Sequence, residues 1–459
     1  MTSWGRVLWP SQRLVPLSDR DTSLPSLATD GGFSNGAVNS SVPPTMLPYG
    51  NGRSYGDSNL NPGGILLQTR ALNHFIAFDP QSGLLTCEAG MLLSEILQLC
   101  VPQGWFPAVT PGTQFVTVGG AIANDVHGKN HHRAGSFGNH VVQFELLRSD
   151  GSRRVCSPFK NADWFAATIG GLGLTGLITW AQLQLQRISN PYIDSETIRF
   201  RSLEEFFDIS LASERSHEYT ASWIDCAWAG KRLGRGVFER GNHAPANLDT
   251  NLVPQAQRTL VVERTRRVPI TPPFSLINPL SLKAFNLGYF HFRKGDRSRS
   301  FKHYRPFLYP LDAVLEWNRI YGPKGFYQYQ CVIPNAHALQ SIRQLLDTIA
   351  ASGMGSFLAV LKQFGTPPSH GMLSFPTPGT TLALDFPNRG LRLHRLFEAL
   401  DRIVLDAGGR LYPAKDGRMG PTIFKASYPR WQEFVGYVDP HFSSGFWRRV
   451  MNTETSGIQ

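Results

Sequence analysis

Side chains that could do chemistry are concentrated between Pro111 and His140, where Lys129 and four histidines stand among six glycines. Histidine gains and loses a proton near neutral pH, so this segment could supply a general acid or base. Zinc binding is the alternative, but the intervening Gly, Asn and Arg residues and the lack of a nearby Cys disfavour any metal site at His127, His131, His132 and His140. The segment is too polar for a core and too glycine-rich for a regular helix or strand, so we expect a large, partly polar ligand to lie against it.

Three glycine loops, at 50–56, 112–128 and 170–176, could hold such a ligand. Glycine lets successive backbone N–H groups turn toward a diphosphate and form an anion-binding nest. The last loop contains the spacing GxGxxG from Gly171 to Gly176, but a Rossmann fingerprint needs a strand before it and a helix after it. A helix-like segment precedes this loop and an alternating strand follows it, so we reject a Rossmann site.

The composition is that of an ordinary globular protein, with 41% hydrophobic and 11% aromatic residues among 459. That length favours two domains, with three possible. Five widely spaced cysteines without a CxxC pair indicate reduced thiols in a cytosolic protein. We find neither an apolar run long enough to span a membrane nor a signal peptide, and expect a cytoplasmic protein that is at most peripheral on the inner membrane.

The basic charge is concentrated between Arg258 and Arg305, where eleven Lys and Arg residues face only Glu263 and Asp296. Large apolar residues are interspersed with these charges. A segment that is both basic and apolar suits an anionic membrane surface better than a nucleic acid. A solvated loop is the alternative.

Short strands and helices alternate along the chain, which predicts an α+β fold. The predicted strands are 65–67, 84–88, 141–147, 154–156, 177–185, 327–333, 357–361 and 381–386, and the predicted helices are 92–101, 335–351 and 391–405, with a short one at 163–165. We place one domain at 1–189, a second with an antiparallel sheet at 190–407, and a segment at 408–459 that returns to complete the first.

The glycine loops and their neighbours resemble a known family when they are read in order. GNGRSYGD from Gly50, the turn Glu88-Ala89-Gly90, PGT from Pro111, TVGGAIA from Thr117 and GGLGLTGLIT from Gly170 resemble the PCMH-type FAD-binding domain of the vanillyl-alcohol oxidase superfamily. Members that bond flavin covalently often read GGHS where this chain has Gly52-Arg53-Ser54. Arginine cannot form that bond, so we expect dissociable FAD. The residues that the resemblance places against FAD are Gly50, Asn51, Gly52, Arg53, Ser54, Tyr55, Gly56, Pro111, Gly112, Thr113, Thr117, Gly119, Gly120, Ala123, Asn124, His127, Gly128, Asn130, Gly173, Gly176, Ile178, Tyr412 and Lys415.

Motifs over nearly the whole chain resemble one family within this superfamily, the decaprenylphosphoryl-β-D-ribose 2-oxidases. They are HGKNHHRAGSFGNH from His127, SWxD from Ser222, EWNRIYGPKGFYQYQ from Glu316, LSFPTPG from Leu373, LDFP from Leu384 and GGRLYPAKD from Gly408. The resemblance implies oxidation of the ribose 2-hydroxyl on a polyprenyl phosphate carrier. It also implies a separate NADH-dependent reductase that returns the ketone as arabinose.

The resemblance assigns catalysis to Lys415, His127 and Tyr55. His127 or water would be the base, while cationic Lys415 would stabilise an alkoxide or anionic reduced flavin. Substrate binding falls to Lys129, Trp223, Gln328, Gln330, Lys362, Thr381, Ala383 and Lys415. At two of these positions, Thr381 and Ala383, the mycobacterial enzymes carry asparagine and cysteine, so inhibitors that trap that cysteine should fail here. Two alternatives remain: an aldonolactone or soluble polyol oxidase, and a non-catalytic FAD-bound factor in cell-envelope assembly.

Overall fold

The computed structural model describes residues 1–25, 44–258, 266–292 and 295–451. Its strands, β1 to β19, are Arg13–Pro16, Met46–Tyr49, Ile65–Gln68, Phe75–Asp79, Leu84–Glu88, Trp105–Pro107, Val141–Leu147, Arg153–Cys156, Leu177–Arg187, Tyr192–Phe200, Tyr219–Ile224, Gly236–His243, Arg266–Arg267, Arg297–His303, Val314–Leu315, Phe326–Pro334, Ala359–Phe364, Gly379–Pro387 and Arg410–Leu411. Its helices, α1 to α13, are Leu93–Cys100, Val118–Ala123, His131–Ala134, Ala162–Thr168, Leu203–Glu214, Gln255–Arg258, Pro279–His291, Tyr304–Leu308, Ala338–Ser352, Leu391–Asp406, Pro421–Ser427, Trp431–Val435 and Gly445–Met451.

The first part of the chain forms an antiparallel sheet in the order β4-β5-β9-β7-β8, with β6 also pairing with β9, and a parallel sheet in the order β1-β3-β2. The predicted strands 141–147 and 154–156 correspond to β7 and β8, which pair as an antiparallel hairpin. Gly151 occupies the left-handed conformation (φ 81°) that its turn needs. Helix α1 buries Leu93, Ile96, Leu97 and Cys100, which share one helical face.

A larger antiparallel sheet follows, in the order β14-β10-β12-β11-β17-β18-β16-β19. Helix α9 packs its apolar face, with Ile342, Leu345, Leu346 and Ile349, into the core of this part of the chain and ends at left-handed Gly353. Ser202 caps α5, because its side chain accepts a hydrogen bond from the amide of Glu205. The predicted α+β fold is therefore confirmed, with shifts at element ends: β17 begins at Ala359 instead of Phe357, and α9 begins at Ala338 after a 3₁₀ turn.

The C-terminal segment contacts both halves. Strand β19 pairs with β16 of the large sheet, through Leu411 and Cys331. Further along, the amide of Asp439 donates to the carbonyl of Leu174 at 2.8 Å, and Arg449 forms an ion pair with Asp57. The proposed boundaries at 189/190 and 407/408 stay predictions.

The five cysteines are buried and unpaired. Among the helices in the described ranges, none has the length and apolar character needed to cross a bilayer.

Candidate active site

A cavity of about 850 Å³ lies between the glycine loops and the large sheet, within the usual size range of ligand sites. Loops 50–55, 110–117 and 119–129 form one side. Strands β11, β16, β17 and β18 and the residues from Tyr412 to Lys415 contribute to the other. Every residue predicted to touch cofactor or substrate lines this cavity except Gly56, Asn130 and Thr381.

Glycine is required where two of the loops meet. A Cβ atom on Gly50 would lie 2.4 Å from Oγ1 of Thr117, which is shorter than any allowed contact. Oγ1 of Thr117 is itself committed, because it caps α2 by accepting from the amide of Gly120 at 3.1 Å. The first loop and the start of α2 therefore approach so closely that backbone, not side chain, faces the cavity.

The glycine loops offer unused hydrogen-bond donors. In the described part of the chain, the backbone amides of Gly52, Arg53, Ser54 and Thr113 make no hydrogen bond. The buried Nε of Arg53 also lacks a partner among the described residues, and its guanidinium carbon lies 4.2 Å from the centroid of a Trp4 ring. Buried donors rarely stay unsatisfied. A group of N–H donors and one guanidinium fits the diphosphate of FAD.

One wall of the cavity carries a hydrogen-bonded row. Nε2 of His127 lies 3.1 Å from Nε2 of Gln330, and its Nδ1 lies 3.2 Å from Nζ of Lys362. Burial, reinforced by the positive charge of Lys362, lowers the pKa of His127 well below 6.5. The prediction that His127 has a pKa suited to accepting a proton near neutrality is therefore wrong. It is a neutral ring that orients its neighbours.

Lys362 has a shifted pKa of its own. Burial, and then the charges of Lys129 and Lys415, lower it to about 7. Besides His127, its ammonium contacts the carbonyl of Gly128 at 3.3 Å. The environment of Lys362 therefore disfavours its charged form.

The opposite end of the wall holds a buried acid and base. Asp385 accepts from Nε2 of Gln328 at 2.6 Å, directly across the β16–β18 pair, and Nζ of Lys415 lies 3.9 Å from the ring centroid of Tyr55. Burial lowers the pKa of Lys415 to about 8, against the pull of Asp385. The cationic role predicted for Lys415 stays a prediction.

Sequence reasoning did not single out Asp385 as a site residue. It follows Thr381 and Ala383 at intervals of two on β18, so the period of a strand places all three on one face. That signal was present in the motif LDFP, but the sequence alone did not show which face lines the cavity.

Three residues predicted to touch cofactor or substrate, Gly56, Asn130 and Thr381, do not line the cavity, and their contacts stay predictions. A Cβ on Gly56 would lie 1.6 Å from the carbonyl oxygen of Asp416, so this glycine allows two backbones to touch. Asn130 donates to the carbonyl of Ala108 at 2.7 Å, and Thr381 accepts from Nε2 of Gln330 at 3.2 Å. Of these partners only Gln330 lines the cavity, so Thr381 supports a lining residue.

Lys129 lines the cavity, but its ammonium is already engaged. It lies 2.9 Å from Glu239 and 2.6 Å from the carbonyl oxygen of Phe307. The two lysines that flank Glu239 offset the cost of its burial, and its pKa falls to about 2. Within the described ranges, no group of three or more His, Cys, Asp or Glu residues could hold a metal ion.

Comparisons with known proteins agree with this geometry. A family described as FAD binding domain matches residues 43–157. The decaprenylphosphoryl-β-D-ribose oxidase of Mycolicibacterium smegmatis is 38% identical over 98% of this chain and 97% of its own length. The chain belongs to the decaprenylphosphoryl-β-D-ribose oxidase family. An uncharacterised protein of Streptomyces coelicolor is 33% identical over 78% of this chain and 99% of its own, and cytokinin dehydrogenase 8 of Oryza sativa is 30% identical over 37% of this chain and 35% of its own.

As a member of the decaprenylphosphoryl-β-D-ribose oxidase family, the chain is an FAD-dependent oxidoreductase. The predicted resemblance and the predicted cofactor are both confirmed. The loops that carry the unused N–H donors fall inside the matched region, at 52–54 and 112–113. Residues around the cavity thus fit the cofactor that the family requires.

Proposed function

We propose that this enzyme oxidises the 2-hydroxyl of a polyprenylphosphoryl-β-D-ribose to a ketone, the first half of an epimerisation to arabinose. One observation carries the proposal: the glycine loops that fit FAD face a polar wall in the same cavity, and Gln328, Gln330, Lys362 and Lys415 all line it. The named activity of the M. smegmatis relative supports this choice of substrate.

The chain's own residues would hold the sugar and its charge. Gln328 and Gln330 stand two residues apart on β16 and offer amide groups to the sugar hydroxyls. Cationic Lys415 would stabilise negative charge that develops on the oxidised oxygen. Bound FAD, held without a covalent bond, would supply the oxidising power by accepting a hydride.

A lipid carrier would fit the surface around the cavity mouth. Helix α7 contributes Phe285 and Tyr289 to the lining, while Leu280 is 82% exposed and Phe292, directly after the helix, is 90% exposed. Exposed apolar residues that continue from a cavity lining are typical of lipid or protein contact sites. We propose that the prenyl chain leaves over α7, and that α7 rests on a membrane surface.

Several basic side chains near that surface are neutralised by acids, which the sequence did not indicate. Ion pairs join Arg299 to Asp194, Lys302 to Glu239 and Arg267 to Glu316, all acids from outside the basic segment. Residues 259–265, 293 and 294, with Glu263 and two further arginines among them, lie outside the described residues. The membrane proposal therefore depends on the apolar residues of α7 more than on net charge.

Anaerobic mixing with ribosyl polyprenyl phosphate tests the reaction. We expect the flavin absorbance to bleach, and the product to be a 2-keto sugar that an NADH-dependent reductase partner would then consume. A water-soluble ribose phosphate should bleach the flavin far more slowly, because it makes no contact with α7. Equal rates with both substrates would favour a soluble polyol oxidase and contradict the proposal.

Because Ala383 stands where the mycobacterial enzymes carry cysteine, inhibitors that trap this cysteine should leave bleaching unchanged. In the structure Ala383 lines the cavity, and its register partners are Gln330 and Val360. No thiol lies at this point of the wall.

A further inference from the structure

Asp385 is a buried carboxylate on the cavity wall with one oxygen free. Its Oδ1 accepts from Gln328 at 2.6 Å, whereas Oδ2 has no hydrogen-bond partner among the described residues although the side chain is fully buried. A buried carboxylate oxygen is costly unless something donates to it. Because Asp385 lines the cavity, its carboxyl lies beside the space that a ligand hydroxyl would occupy.

The groups packed around Asp385 come from three other elements. Lys415 lies on the loop after β19, Tyr55 on the first glycine loop and Tyr321 on the 3₁₀ helix Trp317–Tyr321. Lys415 is the one cation among them, and it favours the charged carboxylate. Burial outweighs it and raises the pKa of Asp385 to about 7. Both tyrosines have pKa values raised well above 10, so they stay neutral and offer no proton sink at ordinary pH.

Two nitrogen bases in the cavity, His127 and Lys362, are engaged elsewhere. His127 lies between Gln330 and Lys362, and its pKa is far below neutral. The ammonium of Lys362 contacts His127 and the carbonyl of Gly128. Asp385 differs from both because it combines a free oxygen with an adjacent cation.

We propose that Asp385 accepts the hydroxyl proton of the alcohol as it is oxidised, with Gln328 fixing the carboxylate and Lys415 holding the alcohol oxygen. This inference rests on the proposed function. The O–H bond breaks and its proton passes to Oδ2 of Asp385. The C–H bond breaks and its hydrogen leaves with two electrons to oxidised FAD, so the carbinol becomes a ketone and the acid later releases its proton to solvent.

Asp385→Asn tests the proposal in the holoenzyme because it keeps the shape of the side chain and removes the base. We expect anaerobic flavin reduction by ribosyl polyprenyl phosphate to slow by roughly 10²- to 10⁴-fold, the usual contribution of a positioned base. The wild-type rate should fall as the pH drops below about 7, since the base must be ionised. This fall in rate at low pH, the acid limb of the pH–rate profile, should be absent in Asp385→Asn. FAD affinity, measured by flavin fluorescence, should stay within about twofold of wild type.

Asp125→Asn is the matched control. Asp125 is also fully buried with a raised pKa, but it accepts from the amide of Gly138 and from Ser374 away from the cavity lining. It should keep the wild-type pH profile. Lys415→Met should shift the acid limb of the pH–rate profile to higher pH, because loss of the cation raises the pKa of Asp385 further. If Asp385 were only structural, the acid limb would neither disappear in Asp385→Asn nor move in Lys415→Met.

Infrared titration separates this proposal from the proposed function. The C=O band of protonated Asp385 should disappear as the pH rises through about 7 in wild-type holoenzyme without sugar, and be absent in Asp385→Asn. If wild-type flavin is not bleached, the proposed function fails, and this titration still decides whether the carboxyl can take up a proton. The assignment of Asp385 would be overturned if its carboxyl stayed ionised at every pH at which the protein folds. It would also be overturned if Asp385→Asn kept the wild-type rate and the wild-type acid limb of the pH–rate profile.

Discussion

Arg449→Met should loosen the loop that carries Lys415. The guanidinium of Arg449 bonds Asp57 from one side and Oδ2 of Asp416 at 3.2 Å from the other, and both carboxylates are buried. Asp416 directly follows Lys415, and its Oδ2 also accepts from the amide of Met419 at 2.8 Å. Methionine would leave two buried carboxylates without their shared cation.

Breaking such a buried pair from one side costs about 3–5 kcal/mol of stability, because the remaining charge is unpaired. Burial already raises the pKa of Asp57 against the pull of Arg449, and removal of the cation should raise it further. An acid whose folded pKa lies above its unfolded pKa destabilises the fold when it is ionised. The cost should therefore be largest at alkaline pH and shrink as the pH falls and Asp57 takes up a proton.

Urea unfolding of the holoenzyme at fixed FAD concentration, followed by tryptophan fluorescence, measures this cost. Arg430→Met is the matched control, since Arg430 and Glu433 form a pair whose side chains are 50% and 48% exposed. Loss of such a pair should change stability by about 0–1 kcal/mol. Equal unfolding midpoints for the two variants would refute a structural role for Arg449. A cost of Arg449→Met that grows toward acid pH would refute it as well.

Three further changes have outcomes fixed by the same geometry. Lys415→Met should slow flavin reduction by about 10²-fold or more, because the cation that stabilises the oxidised oxygen is gone, while circular dichroism stays native. Gly56→Ala should weaken FAD binding, because its Cβ would lie 1.6 Å from a backbone carbonyl. Gly420→Ala is the control, because its Cβ would have nothing within 4 Å and it does not line the cavity. Leu280→Glu should reduce sedimentation with anionic lipid vesicles without changing the unfolding midpoint, since the side chain is 82% exposed.

Each of these three predictions has an outcome that would contradict it. Unchanged reduction kinetics would remove Lys415 from the mechanism. If Gly56→Ala bound FAD as tightly as Gly420→Ala, the close approach of the two backbones would not matter for the site. If wild-type protein did not sediment with vesicles at all, α7 would have no role at a membrane surface.

Local patterns predicted much of the fold. Helices α9 and α10 each carry apolar residues on one face over several turns, and β7 and β8 flank an Asp-Gly turn, so their types followed from periodicity and turn chemistry. The order of the glycine loops led to the cofactor. Helix α7 could also have been found, because Asn278-Pro279 combines a capping side chain with proline at the first helical position.

Properties that depend on neighbours far along the chain were not predictable. The pKa of His127 is set by burial and by Lys362, which lies 235 residues away in sequence. The basic residues of β14 looked unpaired because the acids that neutralise them, such as Asp194, stand on a different strand. Asp385 shares the face of Ala383, but only the folded sheet shows that this face lines the cavity beside Lys415.

Anaerobic stopped-flow reduction with substrate deuterated at C2 of the ribose tests most directly whether this cavity removes hydride from that carbon. Bleaching of the flavin should be slower with the C2-deuterated sugar than with unlabelled sugar, and deuterium at C3 should leave the rate unchanged. A flavin that stays oxidised, or that bleaches at the same rate with C2 deuterium as without it, would contradict oxidation at the 2-hydroxyl.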